Sequence, residues 1–338
     1  MKVGIIGAGG IAHTHAKAIK AAGHELVAVT DVDAARANAF ATTHTTLALG
    51  SVGQLLEQDL QLVTIAAPNR FHFELSAQAL KAKRAVLCEK PLTANAEQSQ
   101  KLIELARHER QPLFVGFMKR AHPVMQKFHA YAQQIGPLTS GLVRVHMHCD
   151  VKVWENIASA MKNPKDPRHE AGCGMLAMVD SHMLDLLLWA AGPVKRVVGA
   201  RLQYRAGCAP MDCAAHALLE MENGASILLD SSFSPLTGVG RRENGRDELI
   251  ELRGDAGLAR IFTPVADRPE TDAPVAEHWD EASKGWEGST INGVNYYTRE
   301  FEYIALALRG ETVPLATGED GARVDALIDD IVRASSEC

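Results

Sequence analysis

The chain opens Met1-Lys2-Val3-Gly4-Ile5-Ile6-Gly7-Ala8-Gly9-Gly10-Ile11-Ala12, an apolar strand that runs straight into a glycine turn and then a helix. Each part of that order has a task in holding a dinucleotide. Gly7 allows the tight turn, Gly9 lets the backbone approach a pyrophosphate, and Ala12 permits close helix–strand packing. Gly10 and Ile11 open a helix whose free N–H groups and partial positive charge face the phosphates. A second strand, Glu25 to Thr30, ends in Asp31, about two dozen residues after Gly7, where a ribose 2′-OH needs an acceptor. A carboxylate there repels a 2′-phosphate. The expected cofactor is therefore NAD, with NADP disfavoured, and Arg36 one helical turn on weakens that preference only slightly.

Bulk properties exclude several classes. A net charge of −6 argues against a nucleic-acid or anionic-membrane partner, because both demand a basic surface. No apolar run approaches the ~20 residues of a spanning helix. The first residues already read as a core strand, so no cleavable leader is expected and a cytoplasmic location follows. The six cysteines (Cys88, Cys149, Cys173, Cys208, Cys213 and Cys338) form no C-x-x-C pair, and reduced thiols are expected.

Up to about residue 120, short β-rich runs alternate with helical stretches. Leu62 to Ala67, a helix from Phe73 to Ala82, Ala85 to Cys88, a helix from Ala96 to Glu109, and Leu113 to Phe117 follow one another. That order implies a Rossmann-type doubly wound parallel α/β sheet over 1–120. Ligands of such sheets sit outside the strands' carboxyl ends. Over 121–338 longer strands joined by short turns (Leu142 to Val153, Val194 to Tyr204, Cys213 to Glu222, Ala225 to Phe233, Glu248 to Leu252) imply an α+β domain. Its sheet is large and mostly antiparallel, with a helix from Met175 to Ala191 inserted. Residues 262–292 read as a long surface loop, and two terminal helices follow, the last opened by a capping box of Thr317 and Asp320. One face of the sheet is left for a second copy, so a homodimer or homotetramer is expected.

Two segments carry chemistry. Cys88-Glu89-Lys90-Pro91 ends a parallel strand, which places the Lys90 ammonium where it can donate to a substrate oxygen and lower the cost of alkoxide character. Gly172 to Asp185 gives a glycine entry to a helix on which His182 and Asp185 lie on one face. His182 has the pKa range to accept a proton near neutrality, and a neighbouring carboxylate can fix its tautomer. Arg144, His146, His148 and Asp150 alternate on one strand face. They lack a fourth ligand, so a polar sheet face is expected and no metal. Trp154, Arg168 and Trp286 are candidate sugar contacts beside the cleft segments.

These segments together resemble the Gfo/Idh/MocA oxidoreductases along nearly the whole chain. The carriers are Gly7 to Ala12, Ala67-Pro68-Asn69-Arg70-Phe71-His72, Glu89-Lys90-Pro91, Val115-Gly116-Phe117 with Arg120, Gly172 to Asp185 and Thr317-Gly318-Glu319-Asp320-Gly321. The resemblance implies NAD- or NADP-dependent oxidation of a secondary hydroxyl of a sugar, sugar acid or cyclitol. It implies that Ala67, Pro68, Asn69 and His72 line the cofactor pocket, that Glu89-Lys90-Pro91 bridges cofactor and substrate, and that Lys90 and His182 act in catalysis. Arg120, Trp154, Arg168 and Asp180 then join Lys90 and His182 around the substrate. The chain departs from the family at one place: aspartate is common four residues before the histidine and glycine two before it, whereas here stand Met178 and Asp180. Three consequences are open: Asp180 substitutes for the missing acid, His182 relies on Asp185, or the chemistry is altered. The alternatives to a dehydrogenase are a non-redox sugar enzyme that oxidises, eliminates or hydrolyses and then reduces again, and a sugar-sensing regulator without catalysis.

Overall fold

The computed structural model describes residues 1–160, 162, 174–238, 245–263 and 273–336. They fall into two compact units, one of Met1–Ala121 with Asn295–Asp325, the other of His122–Val294 with the C-terminal remainder.

In the first unit, strands β1 (Lys2–Ile6), β2 (Glu25–Thr30), β3 (Leu47–Leu49), β4 (Leu62–Ile65), β5 (Ala85–Cys88) and β6 (Leu113–Val115) form one sheet in the order β3-β2-β1-β4-β5-β6. Every pairing in it is parallel. Strands β4, β5 and β6 are buried at every residue, which is why they read as unbroken apolar runs. The crossovers are helices α1 (Gly10–Ala21), α2 (Ala34–His44), α3 (Val52–Leu56), α4 (His72–Lys81) and α5 (Ala96–Glu109). Strand order reverses between β1 and β4, so the carboxyl ends of these two strands mark the switch point where a nucleotide belongs.

A division at residue 120 leaves out one element of this unit. Helix α9 (Tyr296–Ala307, numbered in chain order) buries Phe301 and Ile304 in the same core as Val3, Ile5, Ala12, Ala16 and Ile19. The His24 ring reaches the Phe301 carbonyl at 3.2 Å. An apolar helix stripe does not announce which sheet it will cover, and this one returns to the N-terminal sheet.

The second unit holds α6 (Pro123–Ala132), β7 (Leu138–His148), α7 (Val151–Ala160), α8 (Ser181–Ala191), β8 (Val194–Tyr204), β9 (Asp212–Met221), β10 (Ser226–Ser234), β11 (Arg246–Gly254), β12 (Gly257–Thr263), β13 (Val275–Asp280) and β14 (Gly285–Thr290). Its sheet runs β14-β13-β12-β11-β7-β10-β9-β8, antiparallel except where β10 pairs with β7. Two expectations are corrected here. The strand beginning near Leu142 stops at His148, and Val151 and Val153 lie on α7, whose apolar residues recur at helical spacing and bury Trp154 and Ile157. The stretch 262–292 is no single loop: 275–280 and 285–290 form a hairpin in which Trp279 and Trp286 face each other, ring centroids 5.6 Å apart. Its prolines and charges masked the alternation that makes the hairpin.

Candidate active site

The residues expected to hold the cofactor lie at the carboxyl ends of β1, β2, β4 and β5. Gly7 has φ +101°, and a Cβ there would lie 2.5 Å from the Ala66 carbonyl oxygen, so no other residue fits. Its N–H donates to the Thr30 carbonyl at 2.8 Å, tying the turn to β2. Asp31, at the end of β2, braces the same turn: one carboxylate oxygen accepts the Ala8 N–H at 2.8 Å and the other the Asp33 N–H at 2.9 Å. The Arg36 guanidinium stands 3.6 Å away. A carboxylate offers about four acceptor positions, so capacity remains for a ribose hydroxyl.

The fit to a pyrophosphate rests on an unused helix end. Helices α2, α3 and α5 are each capped by a side chain, from Asp33, Ser51 and Asn95. Helix α1 starts at Gly9 with no side-chain cap and no acid in its first turn. Around Gly9 and Gly10 a Cβ would meet nothing within 4 Å. The backbone N–H groups at the start of α1 therefore face room for an anion.

His72 is buried, its two ring nitrogens 2.9 Å from the Ala67 carbonyl and 2.8 Å from the Pro91 carbonyl. It ties the turn after β4 to the turn after β5, and burial pushes its pKa down despite both carbonyls. Pro68 and Asn69 continue the β4 turn into a single 3-10 turn, Asn69–Phe71. Lys90 follows β5 directly, with its N–H on one Glu89 carboxylate oxygen at 3.2 Å. The other Glu89 oxygen sits 2.7 Å from His15 Nε2. Burial works to raise the Glu89 pKa, yet the His15 hydrogen bond, its charge and the Lys90 charge hold it below the ordinary value. Gly116 leaves the room this needs, since a Cβ there would lie 3.2 Å from Glu89 Oε1.

The side chains of two candidate substrate contacts are buried. Arg120 is 4% exposed, its guanidinium 3.3 Å from Asp320 at the start of α10 (Gly318–Ser336). Trp154 is likewise 4% exposed, in a cluster with Ile157, Cys208 and Met211 and edge-on to Phe233 at 5.4 Å. Both side chains are long and amphipathic, so their sequence places them equally well in a cleft or in a core. Arg168, with Gly172 and Cys173, lies outside the described residues.

In the second unit, the helical run expected from Met175 begins with a π-helical turn, Leu176–Asp180, and becomes α8 at Ser181. Such turns recur at functional sites because they re-aim the side chains that follow. Here His182 follows. Met178 is 46% exposed, so the position where the family carries an acid presents a thioether to solvent. Asp180 is fully buried and accepts the Ser231 hydroxyl at 2.7 Å, while its other oxygen is buried without a hydrogen-bond partner among the described residues. Burial first, then the Asp212 and Glu248 charges, push its carboxyl well above the usual range against the pull of Ser231. Asp185, three residues after His182, is also buried. Of the strand residues considered for metal, Arg144 pairs with Asp247 at 2.8 Å and His146 with Asp230 at 3.2 Å.

Sequence reasoning missed His15, Glu300 and Asp212. The first two occupy positions on otherwise apolar helix stripes, Ala12/His15/Ala16/Ile19 on α1 and Tyr296/Glu300/Phe301/Ile304 on α9. A titratable residue on such a stripe signals a buried polar site. Asp212 receives the Leu176 N–H at 2.9 Å, and burial raises its pKa to about 6.

Residues 1–117 match an oxidoreductase family with an NAD-binding Rossmann fold, and residues 139–260 match the GFO/IDH/MocA C-terminal domain. An inositol 2-dehydrogenase from Acidothermus cellulolyticus is 28% identical over 286 residues, 82% of this chain and 79% of its own. A D-xylose 1-dehydrogenase (NADP(+)) from Haloferax volcanii is 27% identical over 99% of this chain and 97% of its own. The crystal structure of a 3-ketoreductase from Actinomadura kijaniata superposes with TM-score 0.79 at 22% identity, over 99% and 97% of the two chains, a likeness of fold. The chain therefore belongs to the GFO/IDH/MocA oxidoreductases and is a dehydrogenase with an NAD-binding Rossmann domain.

Proposed function

We propose that this enzyme uses NAD to oxidise, reversibly, a secondary hydroxyl of a cyclitol, sugar or sugar acid to the ketone. The observation that carries the reading is the pairing, in one unit, of an uncapped helix N-terminus at Gly9 with a lysine at the carboxyl end of β5, two strands away. The substrate class is suggested by relatives named for inositol and xylose oxidation.

The N–H groups at the start of α1 hold the pyrophosphate, and Asp31 holds the ribose and disfavours a 2′-phosphate by charge. When bound, NAD supplies the hydride acceptor. Lys90 donates to the substrate oxygen and stabilises negative charge as it develops. His182 takes the hydroxyl proton as the base. Asp185, on the same helix face, is assigned to orienting the His182 ring. We assign self-association to the eight-stranded sheet, on whose strands Leu228 and Trp286 are exposed.

The test is NADH formation across a panel of cyclitols, aldoses and sugar acids. The reading requires stoichiometric NADH with at least one of them. Product formed with no net NADH would replace it with a non-redox reaction, and cofactor binding without turnover on any of them would remove the enzyme role.

A further inference from the structure

Behind Lys90 lies a buried polar cluster that the reaction as described leaves unused. His15 on α1 is fully buried and edge-on to Tyr297 and Phe301, both ring pairs 5.7 Å apart. Its Nε2 meets Glu89 at 2.7 Å, and its Nδ1 is buried with no hydrogen-bond partner among the described residues. Glu300 on α9 is 1% exposed, with one carboxyl oxygen buried and unpartnered among the described residues. Burial first, then the Glu89 charge, push the Glu300 carboxyl well above its ordinary range. The charged and titratable groups facing Glu89 are therefore His15 from α1, Glu300 from α9, His72 from the start of α4, and its own neighbours Cys88 and Lys90. The two shifts run in opposite directions, Glu300 up and Glu89 down, so Glu89 is the stronger acid of the pair. Its two oxygens are divided between the His15 ring and the Lys90 amide, so the imidazole fixes the carboxylate and the carboxylate fixes the lysine's backbone.

We propose that His15 is a positioning residue for Lys90: its Nε2–H anchors the Glu89 carboxylate, which holds the Lys90 amide and keeps an anion beside the ammonium. The proposal rests on the assignment of Lys90 to the reacting oxygen. An unanchored Glu89 is free to turn, and Lys90 with it; a misplacement of that kind costs on the order of a hundredfold in rate.

The test compares the full-length wild type with His15→Gln, whose side-chain N–H can stand in for Nε2–H, and His15→Leu, which has no donor. Three readouts are taken: kcat against pH, NAD affinity by fluorescence titration, and the rate at which an amine-reactive reagent labels Lys90, with exposed Lys101 as internal control. In His15→Leu, kcat should fall about tenfold or more and NAD affinity stay within about threefold. Its acid limb should move to higher pH, because Glu89 loses the partner that keeps it ionised. Lys90 labelling should accelerate severalfold while Lys101 labelling stays constant. His15→Gln should restore most of kcat and the slow labelling. Wild-type kcat, pH profile and labelling in His15→Leu would overturn the proposal, as would equal loss of NAD affinity and activity in both variants. Should His15→Leu fail to fold, Glu89→Gln takes its place, and unchanged Lys90 labelling in it is the overturning result. The labelling arm needs no substrate, so a wild type inactive on every polyol would sink the assigned function and leave this proposal to be decided separately.

Discussion

Gly7 and Gly9 stand two residues apart in the same turn, and the structure gives them opposite liabilities. At Gly7 a methyl group meets the Ala66 carbonyl oxygen at 2.5 Å and carbon at 2.7 Å, with φ at +101°. The left-handed backbone costs alanine about 1–2 kcal/mol. Displacing a backbone carbonyl adds about 1–3 kcal/mol. Gly7→Ala should therefore lose about 2–5 kcal/mol of unfolding free energy. Gly9 has φ −79° and ψ −174°, extended backbone that alanine adopts freely, and its methyl would meet nothing within 4 Å. Without cofactor, Gly9→Ala should be about 0.4–1 kcal/mol more stable than wild type, because the unfolded chain loses freedom. The same methyl stands where a pyrophosphate approaches, so NAD affinity should drop about tenfold or more, about 1.4 kcal/mol. Urea denaturation with and without NAD reads both numbers at once. At a hundred times the wild-type Kd, NAD should stabilise wild type by about 2.7 kcal/mol and Gly9→Ala by about half that. Equal stabilisation of the two proteins would refute the placement of the pyrophosphate at this helix end.

Asp31→Ser should shift the ratio of kcat/KM for NAD over NADP at least about tenfold toward NADP, since the charge that repels a 2′-phosphate is gone; steady-state kinetics with both cofactors checks it, and an unchanged ratio counts against Asp31 as the discriminator. Trp154→Ala should cost about 3–5 kcal/mol in urea with KM changed less than about threefold, as for a core aromatic; a large rise in KM with wild-type stability would return Trp154 to the substrate. Asp212 has a pKa raised by burial to about 6, so the folded state holds its proton where the unfolded state has lost it. Unfolding free energy should thus fall as pH rises from the unfolded value through about 6, by at most about 3 kcal/mol, and Asp212→Asn should remove that decline in a pH series of urea titrations. An identical slope in Asp212→Asn would contradict the burial argument.

The first unit was legible because its signals are local. Strand, glycine turn, helix and terminal acid occur in order within the first 31 residues, and β5 and α5 fall at Ala85–Cys88 and Ala96–Glu109, where the residue pattern places them. Thr317 and Asp320 form the reciprocal capping bonds that their spacing promises, the Thr317 N–H on Asp320 at 2.9 Å. What escaped were long-range partners. No spacing relates His15 to Glu89, Asp180 to Ser231, or α9 to the N-terminal sheet, because each pair is joined by tertiary packing across tens to hundreds of residues. The partners of Arg120 and Trp154, an ion pair and a buried cluster, are hidden for the related reason that a side chain's type fixes what it can touch, not which way its element turns it. The π turn before His182 is equally invisible in composition, since it depends on how Asp180 and Asp212 anchor the segment to β10 and β9.

The most direct test of the account separates binding from chemistry at the two basic side chains. Lys90→Ala and His182→Ala are compared with wild type for NAD affinity by titration and for NADH formation with the best polyol. The account predicts NAD affinity within a few fold of wild type in His182→Ala, and kcat lowered about 10²–10⁴-fold in each variant. Wild-type kcat in either variant would contradict it.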